Sequence, residues 1–431
     1  MKLIKSFDQP NTLLVVSSYP DPKTGIKDLD AVAWHSQKTL RSIASPSQKV
    51  VVFSEISSQT KPYKDGSNIL VLPLWHKNQP VTFFKALNQV FNFKLAKNIL
   101  FQFEFNIFGG ITPVLFIPLF LFLFRLTGKK IIFEIHQVIT DISELKTHLN
   151  LKNCLFQKIF NFGLLNFYKT IGLLSDQIVV LEQELKNRLS NFVPESKINF
   201  IPISTIKKRK INQFLAKQQL GYTKDDFVIM SFGFINWYKG SDWLVKAFST
   251  IKDKSTKLIL AGGSSPTLKD KKYYQNYYSK LSSSVSKNKN ISITGFIPDD
   301  KIYLYFSAAD LIVLPYRVFM SSSGPLSIAF SYGRPILLST PLIKNYINST
   351  DFNTSLSKLN LTPADISFSL NSKHFPSKIT QSQKILPKLT KFSTLMQISR
   401  NQQNTSQKYL NLINSLWTKP QAYFSLLPQT T

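Results

Sequence analysis

Short apolar runs recur along this chain, separated by polar stretches whose apolar positions fall at helical spacing. LLVVS (Leu13–Ser17), VVVF (Val50–Phe53), ILVLPLW (Ile69–Trp75), NILFQFEF (Asn98–Phe105) and KKIIFEIH (Lys129–His136) read as strands buried on both faces of a sheet. Between the first two, Leu29, Val32, Ala33, Leu40 and Ile43 repeat as one face of a helix, and residues 82–98 and 151–172 look helical too. SDQIVVLEQELKNRL is a strand followed by a helix, and KINFIPIS closes the first half. KKRK (Lys207–Lys210) falls in a polar linker, and the pattern then restarts with DFVIMSFGFI, KLILAGGSS and ISITGFIPDDKIYLYFSAAD. Strands alternating with helices predict an α/β chain. The expected architecture is two Rossmann-like, doubly wound domains facing each other across a cleft, over residues 1–205 and 206–395.

The most informative stretch is FSAADLIVLPYRVFMSSSGPLSIAFSYGRPILLS, Phe306–Ser339. LIVLP is a buried strand ending at a proline, SSSGP opens a helix, and GRPILL turns into a second strand. A helix start offers unpaired N–H groups and the positive end of the helix dipole, so it favours an anion. At the carboxyl end of a parallel sheet, that makes a nucleotide site.

Ile107–Leu126 is long and apolar enough to raise a membrane span, with Arg125 its only charge. Two glycines, two prolines and the strand that follows at once favour a buried or membrane-docking helix instead. Beyond Gly333 there is no glycine, and Ser, Thr, Asn and Lys dominate to about residue 395, so a loosely ordered segment is expected there. SQKYLNLINSLW (Ser406–Trp417) reads as a terminal amphipathic helix.

Charge is lopsided: 53 Lys and Arg against 24 Asp and Glu give a net +29. Two readings stay open, attraction to polyanions such as anionic lipid or phosphorylated substrates, and a genome-wide lysine bias. Nucleic acid is not expected as a partner, because aromatic and basic residues are not interleaved as RNA-binding modules require. The single cysteine, Cys154, excludes an internal disulfide and is expected to be a buried, inert thiol. The start MKLIKSFDQPNTLLVV has no signal-peptide pattern, which suggests a cytoplasmic protein, soluble or peripheral on the inner face of a membrane. Five scattered histidines and no paired acids point to no metal site.

FGFINWYKGSDWLVKAF, LILAGG, ITGFIP, AADLIVLPY and SSSGPLSIAFSYGRPI, in this order, resemble the retaining glycosyltransferases of the family 4 type. LLVVSSYPDPKTGIKDLD and IIFEIHQV fit the acceptor domain of the same family. The resemblance implies a GT-B fold with the helix of residues 396–420 returning to the first domain. It implies a nucleotide diphosphate-sugar as donor substrate, no further cofactor, and a glycan or lipid-linked acceptor. Lys239 takes the family's position for stabilising the leaving diphosphate, and His136 a position that reaches the sugar or the diphosphate. Donor contacts are implied for Gly25, Ile26, Gly233, Phe234, Thr294, Phe296, Ser322, Ser323, Gly324, Pro325 and Leu326. Glu104, Gly109 and Gly110 would face the acceptor.

Three departures bear on activity. Phe234 stands where relatives often carry an arginine, and Met320 and Ile328 stand where the family's two glutamates are expected. The favoured expectation is an active enzyme that grips its donor through the serine-glycine loop. The alternative is a noncatalytic GT-B relative acting as a binding or scaffold subunit in glycan assembly. Phe-rich segments at residues 83–126 and 151–173, beside the basic charge, suggest docking on an anionic membrane surface.

Overall fold

The computed structural model describes residues 2–23, 31–105, 107–145, 153–319 and 321–418. The chain divides into two compact units. One comprises Met1–Ile135, Lys169–Val179 and Gln403–Thr431, the other His136–Tyr168 and Val180–Gln402.

In the first unit the strands are β1 (Thr12–Val16), β2 (Lys49–Glu55), β3 (Tyr63–Lys64), β4 (Ile69–Trp75), β5 (Asn98–Phe103), β6 (Lys130–Ile135) and β7 (Gln177–Val180). They lie in the order β3-β4-β2-β1-β5-β6-β7. Pairing is parallel from β4 through β6, with Val16 opposite Phe53 and Phe101 opposite Phe133, while β3 is antiparallel to β4. The helices are α1 (Ala31–Ile43), α2 (Phe83–Val90), α3 (Ile111–Leu126) and α4 (Cys154–Leu174), the last running on from the second unit. Strands buried on both faces need apolar residues throughout, and here the filling is aromatic. Phe101 stacks on Phe133 at 5.5 Å, Trp75 on Phe83 at 5.1 Å, and Phe108 touches Trp75, Phe83 and Phe101.

The second unit holds α5 (Gln183–Leu189), β8 (Ile198–Phe200), α6 (Gln213–Gln219), β9 (Phe227–Phe232), α7 (Ser241–Phe248), β10 (Thr256–Ala261), α8 (Lys272–Ser286) and β11 (Ile291–Ile293). These are followed by α9 (Ile302–Ala308), β12 (Leu311–Leu314), α10 (Gly324–Ser331), β13 (Ile336–Ser339), α11 (Thr350–Ser357), β14 (Ser367–Phe368), α12 (Phe375–Lys384) and α13 (Leu386–Ser399). Its six-stranded sheet runs β11-β10-β9-β12-β13-β14, parallel throughout. A last helix, α14 (Gln402–Thr418), belongs from Gln403 onward to the first unit. There the Tyr409 hydroxyl donates to Glu134 at 2.9 Å and the Trp417 indole to Asn98 at 2.8 Å.

Three expectations are corrected. The segment beyond Gly333 is not loosely ordered but folds into α11, α12 and α13. Phe352, Phe392 and Met396 are buried there, and Arg400 binds Asp351 and Glu182 in a buried ion cluster. Composition missed this because few but well-spaced apolar residues and one fully paired arginine suffice to anchor short helices. Cys154 is exposed rather than buried, since it opens α4 on the outward face beside exposed Leu155 and Phe156. The helix read over residues 82–98 ends at Val90, where the Lys129 amine takes the carbonyls of Phe93 and Ala96. Among the described residues no helix is long and apolar enough to cross a membrane.

Candidate functional site

The second unit's sheet places its loops by close backbone packing that glycine alone allows. Gly233, just past β9, has φ +111°, a conformation that side chains with a β-carbon rarely adopt. Gly262, just past β10, lies so near it that a β-carbon would stand 2.1 Å from the Gly233 carbonyl oxygen. Gly240, at φ +74°, closes the turn of Trp237–Lys239 and begins α7, and a β-carbon there would stand 2.0 Å from the Pro315 carbonyl oxygen at the end of β12. Three loops are thereby drawn onto the carboxyl ends of β9, β10 and β12.

Within that group the Lys239 amine stands beside Gly233. A β-carbon on Gly233 would be 2.9 Å from Lys239 Nζ and 3.1 Å from Pro325 Cγ. Lys239 and the opening turn of α10 therefore border the same point beside Gly233. Ser323 caps that helix, its hydroxyl accepting from the Leu326 N–H at 3.3 Å and lying 3.2 Å from the Tyr316 hydroxyl. The Ser322 hydroxyl is buried without a hydrogen-bond partner among the described residues, and a β-carbon on Gly324 would meet nothing within 4 Å. A buried hydroxyl left unsatisfied costs about 1–3 kcal/mol unless something else binds it. Burial lowers the Lys239 pKa to about 8, with no carboxylate of the described residues acting on it. A buried amine, a hydroxyl without a partner among the described residues and open space above a helix start together form a site for an anion.

A clamp that the sequence reading did not anticipate fixes the lysine turn. Arg317, two residues past Pro315, binds the Asp242 carboxylate at 2.7 and 2.8 Å and donates to the Trp237 carbonyl at 2.8 Å. Its backbone N–H donates to the Tyr238 carbonyl at 2.7 Å. Burial works to raise the Asp242 pKa, but the hydrogen bonds and charge of Arg317 override it and hold the carboxyl below the usual range. The signal was present in the arginine after LIVLPY and the aspartate after WYKGS, but nothing in their spacing pairs them.

Behind Ser323 lies a second polar layer. The Ser323 N–H donates to the Tyr346 hydroxyl at 3.4 Å, and the Arg400 guanidinium lies 5.7 Å from the Tyr346 ring centroid. Arg400 binds both oxygens of Glu182 at 3.2 Å and Asp351 Oδ2 at 2.7 Å. Burial pushes the Glu182 pKa up to about 7 against the pull of Arg400.

Lys239, Gly233, Pro325 and the start of α10 are thus brought together. Leu326, buried in that first turn, contributes the N–H that Ser323 caps. Phe234 follows Gly233 as a half-buried side chain. Thr294 ties two loops, its hydroxyl accepting from the Gly262 N–H at 3.0 Å, and half-exposed Phe296 has its backbone against Gly263. His136 follows β6 directly and is buried, and Glu104 follows β5. Gly109 and Gly110 pack on Asn78, whose side-chain oxygen accepts the Gly110 N–H at 2.6 Å at the start of α3. Gly25, Ile26 and Met320 lie outside the described residues. Ile328 is on α10, so no carboxylate stands at that helix position.

Residues 212–340 match the family described as glycosyl transferases group 1. An uncharacterized glycosyltransferase of Methanocaldococcus jannaschii is 23% identical in an alignment of 194 residues that covers 40% of this chain. The match spans about half that relative's length, 46%. Among solved structures, sucrose-phosphate synthase from Thermosynechococcus elongatus is similar at a TM-score of 0.70 and 14% identity, over 95% of this chain and 99% of that one. Anabaena HepE in complex with UDP-glucose is similar at 0.64 and 14%, over 94% and 99%. The chain has the GT-B fold, two parallel-sheet α/β domains, and the stretch that matches the group 1 glycosyl transferases lies in the second of them.

Proposed function

We propose that this chain is a retaining glycosyltransferase of the family 4 type. It moves a hexosyl group from a nucleotide diphosphate-sugar to a glycan or lipid-linked acceptor on the cytoplasmic side of a membrane. The observation that carries the reading is that the Lys239 amine and Pro325, at the open start of α10, both border Gly233. In the reaction the bond from the anomeric carbon to the diphosphate oxygen breaks and its electron pair goes to the diphosphate. The acceptor oxygen bonds to that carbon on the face the diphosphate left, and its proton passes to the departing diphosphate oxygen. Preorganised positive groups around the growing charge lower the barrier most. Lys239, the helix start and the Ser322 hydroxyl have that role here, and His136 would contact the sugar or diphosphate.

The complex of HepE with UDP-glucose makes uridine diphosphate the first donor nucleotide to try. The test is release of the nucleoside diphosphate from UDP-glucose by the purified chain, with and without a lipid-linked glycan acceptor. Turnover that falls at least a hundredfold in Lys239→Ala supports the reading. Donor binding without any turnover assigns the chain to the scaffold role, the reading that Ile328 in place of an acid on α10 favours.

A further inference from the structure

On α3, the face opposite the core is as apolar as the face within it. Ile117, Phe120, Leu121 and Phe124 are buried, yet Leu115, Leu119, Phe122 and Leu126 point outward at spacings of four, three and four. A helix that turned this side to water would carry polar residues there. Beside it, α2 and the segment after it continue the same surface. Phe84 packs edge-on against Phe120 at 5.1 Å, and Phe91 lies two turns further along. These six outward side chains are each 43 to 71% exposed. They belong to one unit, and two adjoining helices present them.

The charged side chains that α2 and α3 themselves carry have one sign. Neither α2 nor α3 contains an aspartate or glutamate, and Glu104 is the only acid between Gly66 and Phe133. Lys85 on α2 and Lys94 just beyond it are exposed, and Arg125 near the end of α3 is half exposed while also meeting Asp176 at 3.6 Å. We infer that the α2–α3 face seats the chain on an anionic lipid bilayer, with α2 and α3 lying in the plane of the headgroups. Lipid fits both halves of the surface: acyl chains take the leucines and phenylalanines, and acidic headgroups take the lysines. A second copy fits the apolar half better than the charged one, since each copy brings a net charge of +29 and neither α2 nor α3 carries an acid to answer the other's lysines. No described helix can cross the bilayer, so the association is peripheral. It stands whether or not the chain transfers sugar.

The experiment is co-sedimentation of the full chain with vesicles of phosphatidylcholine alone or of phosphatidylcholine with one-third phosphatidylglycerol, at low and high salt. The expected result is partition onto the anionic vesicles, weakened by salt, with little onto the neutral ones. Replacing Lys85 and Lys94 by Glu should lower partition by about fivefold or more for each charge removed. Leu115→Ser with Leu119→Ser and Phe122→Ser should sharply lower partition onto the anionic vesicles at low salt, because the acyl contact is lost while the lysines remain. Melting temperature checks the fold of each variant. The exposed lysine pair keeps the test sound if the triple variant is unstable. Equal partition onto both vesicle types, or unchanged binding in both variants, overturns the proposal. So does self-association that the triple variant abolishes in a chain that ignores lipid, which would assign the face to a second copy.

Discussion

The amine of Lys239 stands 2.9 Å from where a β-carbon on Gly233 would lie, so glycine at one position and the lysine's approach to α10 at the other are one requirement. Gly233→Ala would meet the amine, press on Pro325 at 3.1 Å, and hold a β-carbon at φ +111°. The expected loss is about 1–3 kcal/mol of stability from backbone strain, read by urea denaturation. Donor affinity should fall with it. An alanine variant with unchanged stability and affinity would show that the loop has room to spare.

Lys239 also sets a pH dependence. Its folded pKa of about 8 lies below the ordinary 10.5, so between these values the folded chain holds fewer protons than the unfolded one. Stability therefore rises with pH across that window, and the buried charge costs the fold stability below it. A bound diphosphate favours the charged amine, so affinity for a nucleoside diphosphate should fall as pH rises above about 8. Calorimetric titration across that range checks this. In Lys239→Arg, whose charge persists, the pH dependence should vanish.

Arg400 is held between Glu182 at 3.2 Å and Asp351 at 2.7 Å, all three in the second unit. Arg400→Met leaves Glu182 buried without its partner, and the expected destabilisation is about 3–5 kcal/mol. Adding Glu182→Leu should restore much of that, because the isolated charge rather than the lost pair is what hurts. A double variant no more stable than Arg400→Met would contradict this.

The fold was legible because burial on both faces forces strands to read as apolar runs, as LIVL at Leu311–Leu314 and TLLVV at Thr12–Val16 do. Lys239 and the α10 start were legible because turn glycines and a serine cap are local signals. What sequence could not reveal depends on distant pairs. Arg317 and Asp242 lie 75 positions apart, and Arg400 and Glu182 218 apart, so no spacing joins them. The two-residue strands β3 and β14 were missed because they are too short to show alternation. α3 begins at Ile111, just past the two glycines that read as a break, and the Asn78 side chain that takes the Gly110 N–H there is another distant partner.

Asn78 itself has φ +62° while its side chain takes the Gly110 N–H. Asn78→Ala removes that bond and strains the backbone, with an expected loss of about 1–3 kcal/mol. Asn78→Gly relieves the strain alone and should lose less. Thermal melts of the two variants separate the contributions, and equal losses would assign the whole effect to the side chain.

Whether the residues around Lys239 hold a sugar donor is read most directly by titrating the purified chain with nucleoside diphosphates and their glucose conjugates while following its melting temperature. A ligand that binds only the folded chain raises that temperature with concentration. The predicted result is a saturable rise with uridine diphosphate or UDP-glucose, shifted to at least tenfold higher concentration in Lys239→Ala. No rise with any nucleoside diphosphate, or the same rise in Lys239→Ala, would contradict the site.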